Sequence, residues 1–456
     1  MYAKNAWEKY TGEKLNDLMK FNDEYKEFLS LCKTERECVT FAVNLAEKYG
    51  FKEINEFETL KPGDKVYATN REKNICVFII GEEPIEKGLN VLGAHIDSPR
   101  LDIKQNPLYE KNGYALLDTH YYGGIVKYQW VARNLAIHGV VCKKDGLTIE
   151  VVIGEDDEDP VLCITDLLPH LAADKNSKPG NKVIEGEDLD LTIAHMPLAG
   201  EEKDAVKKNL LKLLKEKYDI EEEDFVSAEL EIVPAGAARD LGLDRSMVVG
   251  YGHDDRVCAY TSLRAILDSK PAKKTICAYL VDKEEVGSIG ATGAHSLWYQ
   301  NVVAELIAKQ DAYNDLKLRH AMSNTNMLSS DVSAGFDPLY GNVFEAKNAA
   351  YLGNGITFNK YTGARGKSGC NDTSAEFIAE VRNVMDTNNI YYQTAELGRI
   401  DVGGGGTIAY IMGNQNMNVM DAGIPVLSMH APNEVVSKVD VYEAYLAYMA
   451  FAKEMK

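Results

Sequence analysis

Residues 274–288, KTICAYLVDKEEVGS, join an apolar run to two adjacent glutamates, Glu284 and Glu285. The run predicts a buried strand. Adjacent carboxylates repel each other, and the repulsion becomes more costly where water is excluded. A cation would offset it, and one glutamate could then bind metal while its neighbour acts as a base. The alternative is a solvated turn, but the preceding strand and the glycine-rich segment after the pair favour a site.

Strand-like and helix-like segments alternate on both sides of this stretch. Short apolar runs bounded by Gly or Asn predict strands, and longer amphipathic runs predict helices. This alternation predicts an α/β fold with a mainly parallel or mixed sheet that is covered on both faces. The segments are strands at 74–81, 90–97 and 274–282, helices at 257–269 and 294–308, and a terminal strand at 424–430.

The texture of the sequence changes near residue 101. Residues 101–165 contain alternating strands with several aromatic residues, and 201–224 form a charged amphipathic helix. We therefore predict one α/β domain, formed by 1–100 and 240–456, that is interrupted by a β-rich insert at 101–239.

Composition excludes several classes of partner and compartment. The formal net charge of −20 argues against nucleic acid and anionic membranes, because both require a basic face. The N-terminal stretch has charges throughout and no apolar segment typical of a secretory signal. The 8 cysteines are scattered without a CxxC pair, which excludes a zinc ribbon and indicates reduced thiols. We expect a cytoplasmic protein.

Five short stretches place His, Asp or Glu at the ends of apolar runs, where ligands bind in open α/β sheets. A single histidine there is usually structural, but five converging stretches would hold too much negative charge to bury without a cation. Histidine with carboxylates suits zinc, manganese or cobalt. The stretches are GAHIDSPR (His95, Asp97), GYGHDDR (His253, Asp254, Asp255), VDKEEVGS (Glu284, Glu285), LSSDVSAG (Asp331) and LSMHAPNE (His430, Glu434).

Two glycine-rich segments lack the features of nucleotide-binding loops. VGGGGT (402–407) is not followed by Lys-Ser or Lys-Thr, and GARGKSGCND (363–372) lacks the preceding glycine spacing. Neither follows a first strand with the spacing of a dinucleotide fingerprint. We expect the first to let the backbone approach the site, and the second to be a loop.

The motifs together resemble those of the aspartyl aminopeptidase and aminopeptidase I family of dinuclear zinc exopeptidases. The resemblance covers nearly the whole chain and includes GAHIDSPRLDIK, YYGGIVKYQWVARNLAIHGVV, LPHLA, GHDDR, DKEEVGS, SSDVSAG and LSMHAPNE. It implies a phosphorylase/hydrolase-like mixed-sheet catalytic domain with a β-rich dimerisation insert. It also implies peptide substrates, two zinc ions per subunit, replaceable by cobalt or manganese, and dimers assembled into dodecamers.

The resemblance also implies a role for each matching residue. Glu284 would be the general base, and Asp97 would orient His95. His170 in the insert would contact substrate or metal, in the site of a neighbouring subunit. The implied metal ligands are His95 for one ion, His430 for the other, Asp254 between them, and Glu285 and Asp331 to complete the two shells.

The sequence departs from the aspartyl members at three positions. Ala334 and Asp337 stand where those members carry histidines, and Thr357 stands where they carry a lysine that reads an acidic side chain. A preference for neutral N-terminal residues, as in aminopeptidase I, is therefore open, although Arg365 or Lys367 could supply a compensating charge. A catalytically silent scaffold that retains the fold is the alternative function, but every ligand position implied by the resemblance is filled.

Overall fold

The structure, a computed structural model, describes residues 4–456 and divides into two compact units. The first unit comprises the chain up to Asp97 together with Ala238–Met429 and Asn433–Lys456. The second comprises Ser98–Ala237 and His430–Pro432. The catalytic and dimerising roles that the sequence suggests for these units stay predictions.

A nine-stranded mixed sheet forms the centre of the first unit. Its four middle strands run parallel, and the strand next to them on each side is antiparallel to its inner neighbour. In spatial order the strands are β1 (Lys52–Glu53), β2 (Lys65–Asn70), β3 (Asn74–Ile79), β13 (Thr275–Val281), β4 (Leu89–His95), β14 (Asn326–Ser329), β18 (Asn418–Gly423), β16 (Ile356–Asn359) and β17 (Tyr392–Thr394).

The central strands are apolar without interruption because both of their faces are buried. On β4, Leu92 and Ala94 belong to one hydrophobic core, and Val91 belongs to the core on the opposite face. On β13, Ala278 and Tyr279 divide in the same way. This alternation explains why the quoted apolar runs are strands of a covered sheet.

Helices cover both faces of this sheet. Helix α2 starts at a capping box, in which the Thr34 hydroxyl accepts from the Glu37 amide and the Glu37 carboxylate accepts from the Thr34 amide. The helices of the first unit are α1 (Glu13–Leu31), α2 (Glu35–Lys48), α5 (His253–Leu267), α6 (Trp298–Gln310), α7 (Asp315–Ser323), α8 (Ala375–Thr387), α9 (Ala409–Gly413) and α10 (Lys438–Glu454).

A smaller five-stranded sheet also belongs to the first unit. Its strands β12 and β20 pair antiparallel, with Gly250 opposite Glu434. In spatial order the strands are β11 (Arg239–Leu241), β12 (Met247–Gly250), β20 (Glu434–Ser437), β19 (Pro425–Leu427) and β15 (Ser333–Ala334).

The second unit contains a six-stranded antiparallel sheet, in agreement with the alternating strands expected after residue 101. The predicted amphipathic helix is shorter than 201–224, because it begins at Ala205 after the left-handed Asp204 and ends at Tyr218 before the left-handed Asp219. The strands in spatial order are β8 (Thr148–Ile153), β7 (Leu135–Cys142), β10 (Ala228–Pro234), β5 (Arg100–Lys111), β6 (Tyr114–Tyr122) and β9 (Leu191–Ala194), and the helices are α3 (Ala173–Asn176) and α4 (Ala205–Tyr218).

The chain does not end in the strand expected at 424–430. Strand β19 covers only Pro425–Leu427, and the 17-residue helix α10 follows β20. Burial extends over most of α10, so its sequence lacks the polar stripe by which an amphipathic helix is recognised. None of the helices in the described part of the chain is long and apolar enough to cross a membrane.

Candidate metal centre

The candidate site lies where parallel strands of the nine-stranded sheet end. Strand β4 ends at His95, β13 ends at Val281 shortly before Glu284, and β14 ends at Ser329 shortly before Asp331. Val281 pairs with His95 across the ladder between β13 and β4. The carboxyl ends of these strands therefore bring the predicted residues to one edge of the sheet, as expected for an open α/β fold.

Six of the side chains at this edge form one cluster of possible metal ligands. They fall into three overlapping groups, and within each group the ligand atoms all lie within 4.8 Å of one another. The overlap means that a single cluster, rather than three separate sites, is present. The groups are His95 with Glu284 and Asp331, His95 with Asp254 and Glu285, and Asp254 with Asp255 and Asp331.

The beginning of α5 supplies two of these carboxylates. Asp254 and Asp255 have non-helical backbone angles, and the peptide bond between them is cis. The backbone amide of His95 donates to Oδ2 of Asp255 at 3.2 Å. Asp255 was not among the ligands implied by the resemblance, although its place beside Asp254 in the GHDDR stretch was a signal that both carboxylates could reach the site.

His95 is held with one ring nitrogen directed at the cluster. Its Nδ1 lies 2.9 Å from the carbonyl oxygen of Asp97, and its Nε2 lies 3.1 Å from Oδ1 of Asp254. Burial lowers the pKa of His95, but the hydrogen bonds with Asp254 and Asp97 outweigh burial and raise the pKa well above its usual value. Nδ1 donating to a carbonyl oxygen leaves Nε2 as the nitrogen for a metal, whose charge would take the place of the proton.

Asp97 also holds the glutamate pair. Its Oδ1 accepts from the backbone amide of Glu284 at 3.1 Å, and its Oδ2 accepts from the amide of Glu285 at 3.2 Å. Lys283 and Gly287 adopt left-handed conformations at the two ends of this short turn. Asp97 is fully buried. One side chain therefore fixes the backbone of both glutamates, beyond its predicted role towards His95.

The electrostatics of the cluster fit a cation. Burial and repulsion from Asp331 raise the pKa of Asp255 well above its usual value, and burial and repulsion from Glu284 do the same for Asp331. Oδ1 of Asp255 accepts no hydrogen bond from any residue between 4 and 456. A metal ion would supply the missing partner and neutralise the repulsion. One imidazole with several carboxylates is a donor set for zinc, and also for manganese or cobalt.

Both glutamates of the pair approach His95. Glu284 shares a ligand group with His95 and Asp331, and its Oε2 lies 4.0 Å from Nε2 of His95. Glu285 shares a group with His95 and Asp254. The division into a base at Glu284 and a ligand at Glu285 stays a prediction.

Two predicted histidines belong to the second unit. Nδ1 of His430 lies 2.9 Å from the carbonyl oxygen of Gly124, within that unit. His170 is exposed in the short turn Pro169–Leu171. Within residues 4–456, the three ligand groups contain neither histidine. Their roles at a metal or substrate stay predictions.

The three positions that depart from the aspartyl members have different environments. Thr357 is fully buried in β16, whereas Ala334 is half-buried at the end of β15. Asp337 caps the following turn, because its carboxylate accepts from the amide of Leu339 at 2.9 Å. None of these three side chains carries a positive charge that would bind an acidic substrate.

The two basic residues of the loop at 363–372 differ in their contacts. Lys367 pairs with Asp372 at 3.0 Å and lies 4.0 Å from the ring centre of Tyr361. Arg365 is exposed. Lys367 is therefore already engaged by an acidic neighbour, and Arg365 is the better candidate for a compensating charge.

Comparison with known proteins identifies the family. The family model described as "Aminopeptidase I zinc metalloprotease (M18)" matches residues 28–452. The chain belongs to the M18 aminopeptidase family. It is thus a metalloaminopeptidase, a hydrolase that acts on peptide bonds, and the M18 match confirms the family resemblance.

Individual M18 relatives agree with this assignment. "Probable M18 family aminopeptidase 1" of Clostridium acetobutylicum is 59% identical over 98% of this chain and 97% of its own. The crystal structure of the M18 aminopeptidase from Thermotoga maritima matches with a TM-score of 0.96 at 45% identity, over 100% of both chains. The S. cerevisiae mApe1 dodecamer matches at 0.76 and 21% identity, over 94% of this chain and 95% of its own. The Thermotoga maritima match confirms the predicted phosphorylase/hydrolase-like α/β fold, and the mApe1 match shows the fold alone.

Proposed function

We propose that this M18 protein removes the N-terminal residue of peptides with a water activated by two metal ions and with Glu284 as the general base. The observation that carries the proposal is the convergence of His95 and five carboxylates at the carboxyl edge of the sheet. Five carboxylates this close together, of which Asp254 and Asp255 are buried, are stable together only with cations beside them. The proposal therefore adds a mechanism to the assignment of the protein as a metalloaminopeptidase.

The proposed ligands are those implied by the family resemblance. Two zinc ions per subunit would be bound, and cobalt or manganese could replace them because these metals accept the same nitrogen and oxygen donors. When bound, the two cations would polarise the scissile carbonyl and lower the pKa of the attacking water. The ligands would be His95, Asp254, Glu285, Asp331 and His430.

The protein's own side chains perform the proton transfers in this proposal. Glu284 is 17% exposed, so its carboxylate can meet water while its backbone is held by Asp97. It would accept the proton of the attacking water and deliver it to the nitrogen of the leaving amine. A carboxylate of the cluster would bind the free α-amino group of the substrate, which would confine cleavage to the first residue.

We also propose self-association. The match to the S. cerevisiae mApe1 dodecamer supports self-association. In the proposed assembly, which the family resemblance implies, dimers form through the β-rich second unit and assemble into a dodecamer. His170, which is exposed in that unit, would reach the site of a neighbouring subunit. A cytoplasmic location is supported by the 8 cysteines, all of which are free thiols.

A chelation assay with a small substrate panel tests the function. The protein is dialysed against a chelator, zinc or cobalt is restored, and release of the first residue from Asp-, Leu- and Lys-peptides is measured. We expect no release after chelation, recovery with either metal, and a preference for Leu over Asp, because Thr357 and Ala334 offer no positive charge. Absence of metal-dependent release from every peptide would favour the silent scaffold instead.

A further inference from the structure

The segment between β12 and the regular part of α5 carries Asp254, which takes part in two of the three ligand groups. Gly252 is left-handed, with φ 78, and Asp254 has φ −80 and ψ 109, which is extended rather than helical. The backbone amide of Asp254 therefore lies at the start of the helix, where amides need a partner from outside the helix. A hydrogen bond that fixes the orientation of this amide also fixes the backbone from which the Asp254 side chain extends.

The partner of this amide is a buried glutamate from another strand. Oε2 of Glu434 accepts from the amide of Asp254 at 3.0 Å, although the two residues lie 180 positions apart. Glu434 is 1% exposed and begins β20, where it pairs with Gly250 at the end of β12. The strand pairing fixes the backbone of Glu434, and burial restricts the movement of its side chain.

We propose that Glu434 is a positioning residue that sets the location of the Asp254 carboxylate for metal binding. The inference rests on the proposed function, because it requires Asp254 to be a metal ligand. Oδ1 of Asp254 lies 3.1 Å from Nε2 of His95, and a rotation of the Asp254 backbone would move that oxygen out of the cluster. The hydrogen bond from the buried Asp254 amide to Glu434 resists such a rotation, because a rotated amide would lose its buried acceptor.

A purely structural role is the competing explanation, and the chain provides a matched control for it. Glu443 is also fully buried in the first unit, and its Oε2 accepts from the backbone amide of Tyr391 at 2.8 Å. It is absent from the ligand groups of residues 4–456. Loss of Glu443 should therefore cost stability without changing metal affinity, whereas loss of Glu434 should change metal affinity.

The experiment measures zinc affinity by competition with a chromophoric chelator, together with kcat and KM on a Leu-peptide, for folded variants. We expect Glu434→Ala to weaken zinc binding roughly 10- to 100-fold, the usual cost of losing a residue that supports a metal ligand. Glu434→Asp keeps the charge but shortens the reach, so it should lose affinity as well. Glu434→Gln keeps an oxygen acceptor and should retain most of the affinity. Glu443→Ala should bind zinc like the wild type.

The proposal is overturned if Glu434→Asp binds zinc as tightly as the wild type, or if Glu443→Ala loses as much affinity as Glu434→Ala. It is also overturned if Glu434→Gln loses as much as Glu434→Asp, because charge rather than the hydrogen bond would then be responsible. Should Glu434→Ala fail to fold, the Asp and Gln variants carry the test. Asp254→Asn distinguishes failure of the ligand assignment from failure of the positioning role. If Asp254→Asn binds zinc as tightly as the wild type, Asp254 is not a metal ligand, and the positioning role of Glu434 fails as well.

Discussion

The first unit contains buried carboxylates in two places, on α10 and at the metal centre, and the groups that surround them differ. On α10, both oxygens of Asp440 accept backbone amides, from Gly353 and Gly355 at 2.7 Å. At the metal centre, by contrast, carboxylates lie beside other carboxylates. Repulsion from Asp331 contributes to the raised pKa of Asp255, and repulsion from Glu284 contributes to the raised pKa of Asp331. Burial of an acid is thus no sign of function by itself. The sign is a group of acids, some of them buried, whose carboxylate oxygens lie within 4.8 Å of one another.

The largest expected effect separates the two glutamates within the metal centre. Glu284→Gln removes the proposed base but leaves an amide of the same shape, so kcat should fall by about 10²- to 10⁴-fold, the usual contribution of a general base. Zinc content, measured by atomic emission after gel filtration, should stay at the wild-type level. Retained activity would show that Glu284 is not the base, and lost zinc would show that it is a ligand.

The second prediction concerns the carboxylates that the protein itself satisfies. Oε1 of Glu443 accepts from Lys9 at 2.8 Å and from the hydroxyl of Tyr10 at 2.5 Å. Glu443→Ala leaves these donors without their acceptor and should lower the free energy of unfolding by about 3 kcal/mol. Urea denaturation measures this loss, and kcat of the folded variant should be unchanged. A fall in kcat at full zinc occupancy would mean that the two regions are coupled.

The last prediction is a pH dependence at Asp440, whose effect over a single pH unit is smaller than that of Glu443→Ala. Burial raises the pKa of Asp440 to about 8, against the pull of two amide hydrogen bonds. The folded state therefore keeps a proton that the unfolded chain releases near its ordinary pKa of about 4. Between those two values this group makes the protein less stable as pH rises, by about 1.4 kcal/mol per pH unit.

Comparison with Asp440→Asn isolates this pH dependence. The free energy of unfolding of the wild type, measured by urea titration from pH 5 to 8, should fall relative to that of the variant. The slope is the relevant quantity, because the amide also removes one acceptor and lowers stability at every pH. Parallel curves of unfolding free energy against pH would mean that Asp440 is ionised throughout this range. The two amide hydrogen bonds would then outweigh burial.

The sequence predicts the part of the site that depends on strand ends. Continuous apolar runs identify β4 and β13 as covered strands, and the carboxyl ends of parallel strands meet at one edge. His95, Glu284 and Asp331 follow from that rule together with residue type. The family resemblance added the individual roles, which the contacts described above leave as proposals.

The rest depends on contacts between distant positions. The amide contacts of Asp97 with the glutamate pair and of Glu434 with Asp254 join residues more than a hundred positions apart, and no local pattern encodes them. Helix α10 was missed for a different reason. Its side chains are buried on most sides, so the period that reveals a surface helix is absent.

The order of the strands has a consequence for synthesis of the chain on the ribosome. Both neighbours of β4 in the sheet, β13 and β14, follow the second unit in the sequence. Glu284, whose amide donates to Asp97, is synthesised 187 residues after Asp97. The growing chain therefore exposes an apolar strand with two unpaired edges until β13 has been synthesised, at residue 281. Almost all of the second unit is one continuous segment, Ser98–Ala237, whose sheet is complete much earlier. During synthesis, chaperones should accordingly bind an intermediate in which the β-rich second unit is folded and the N-terminal segment before it is not.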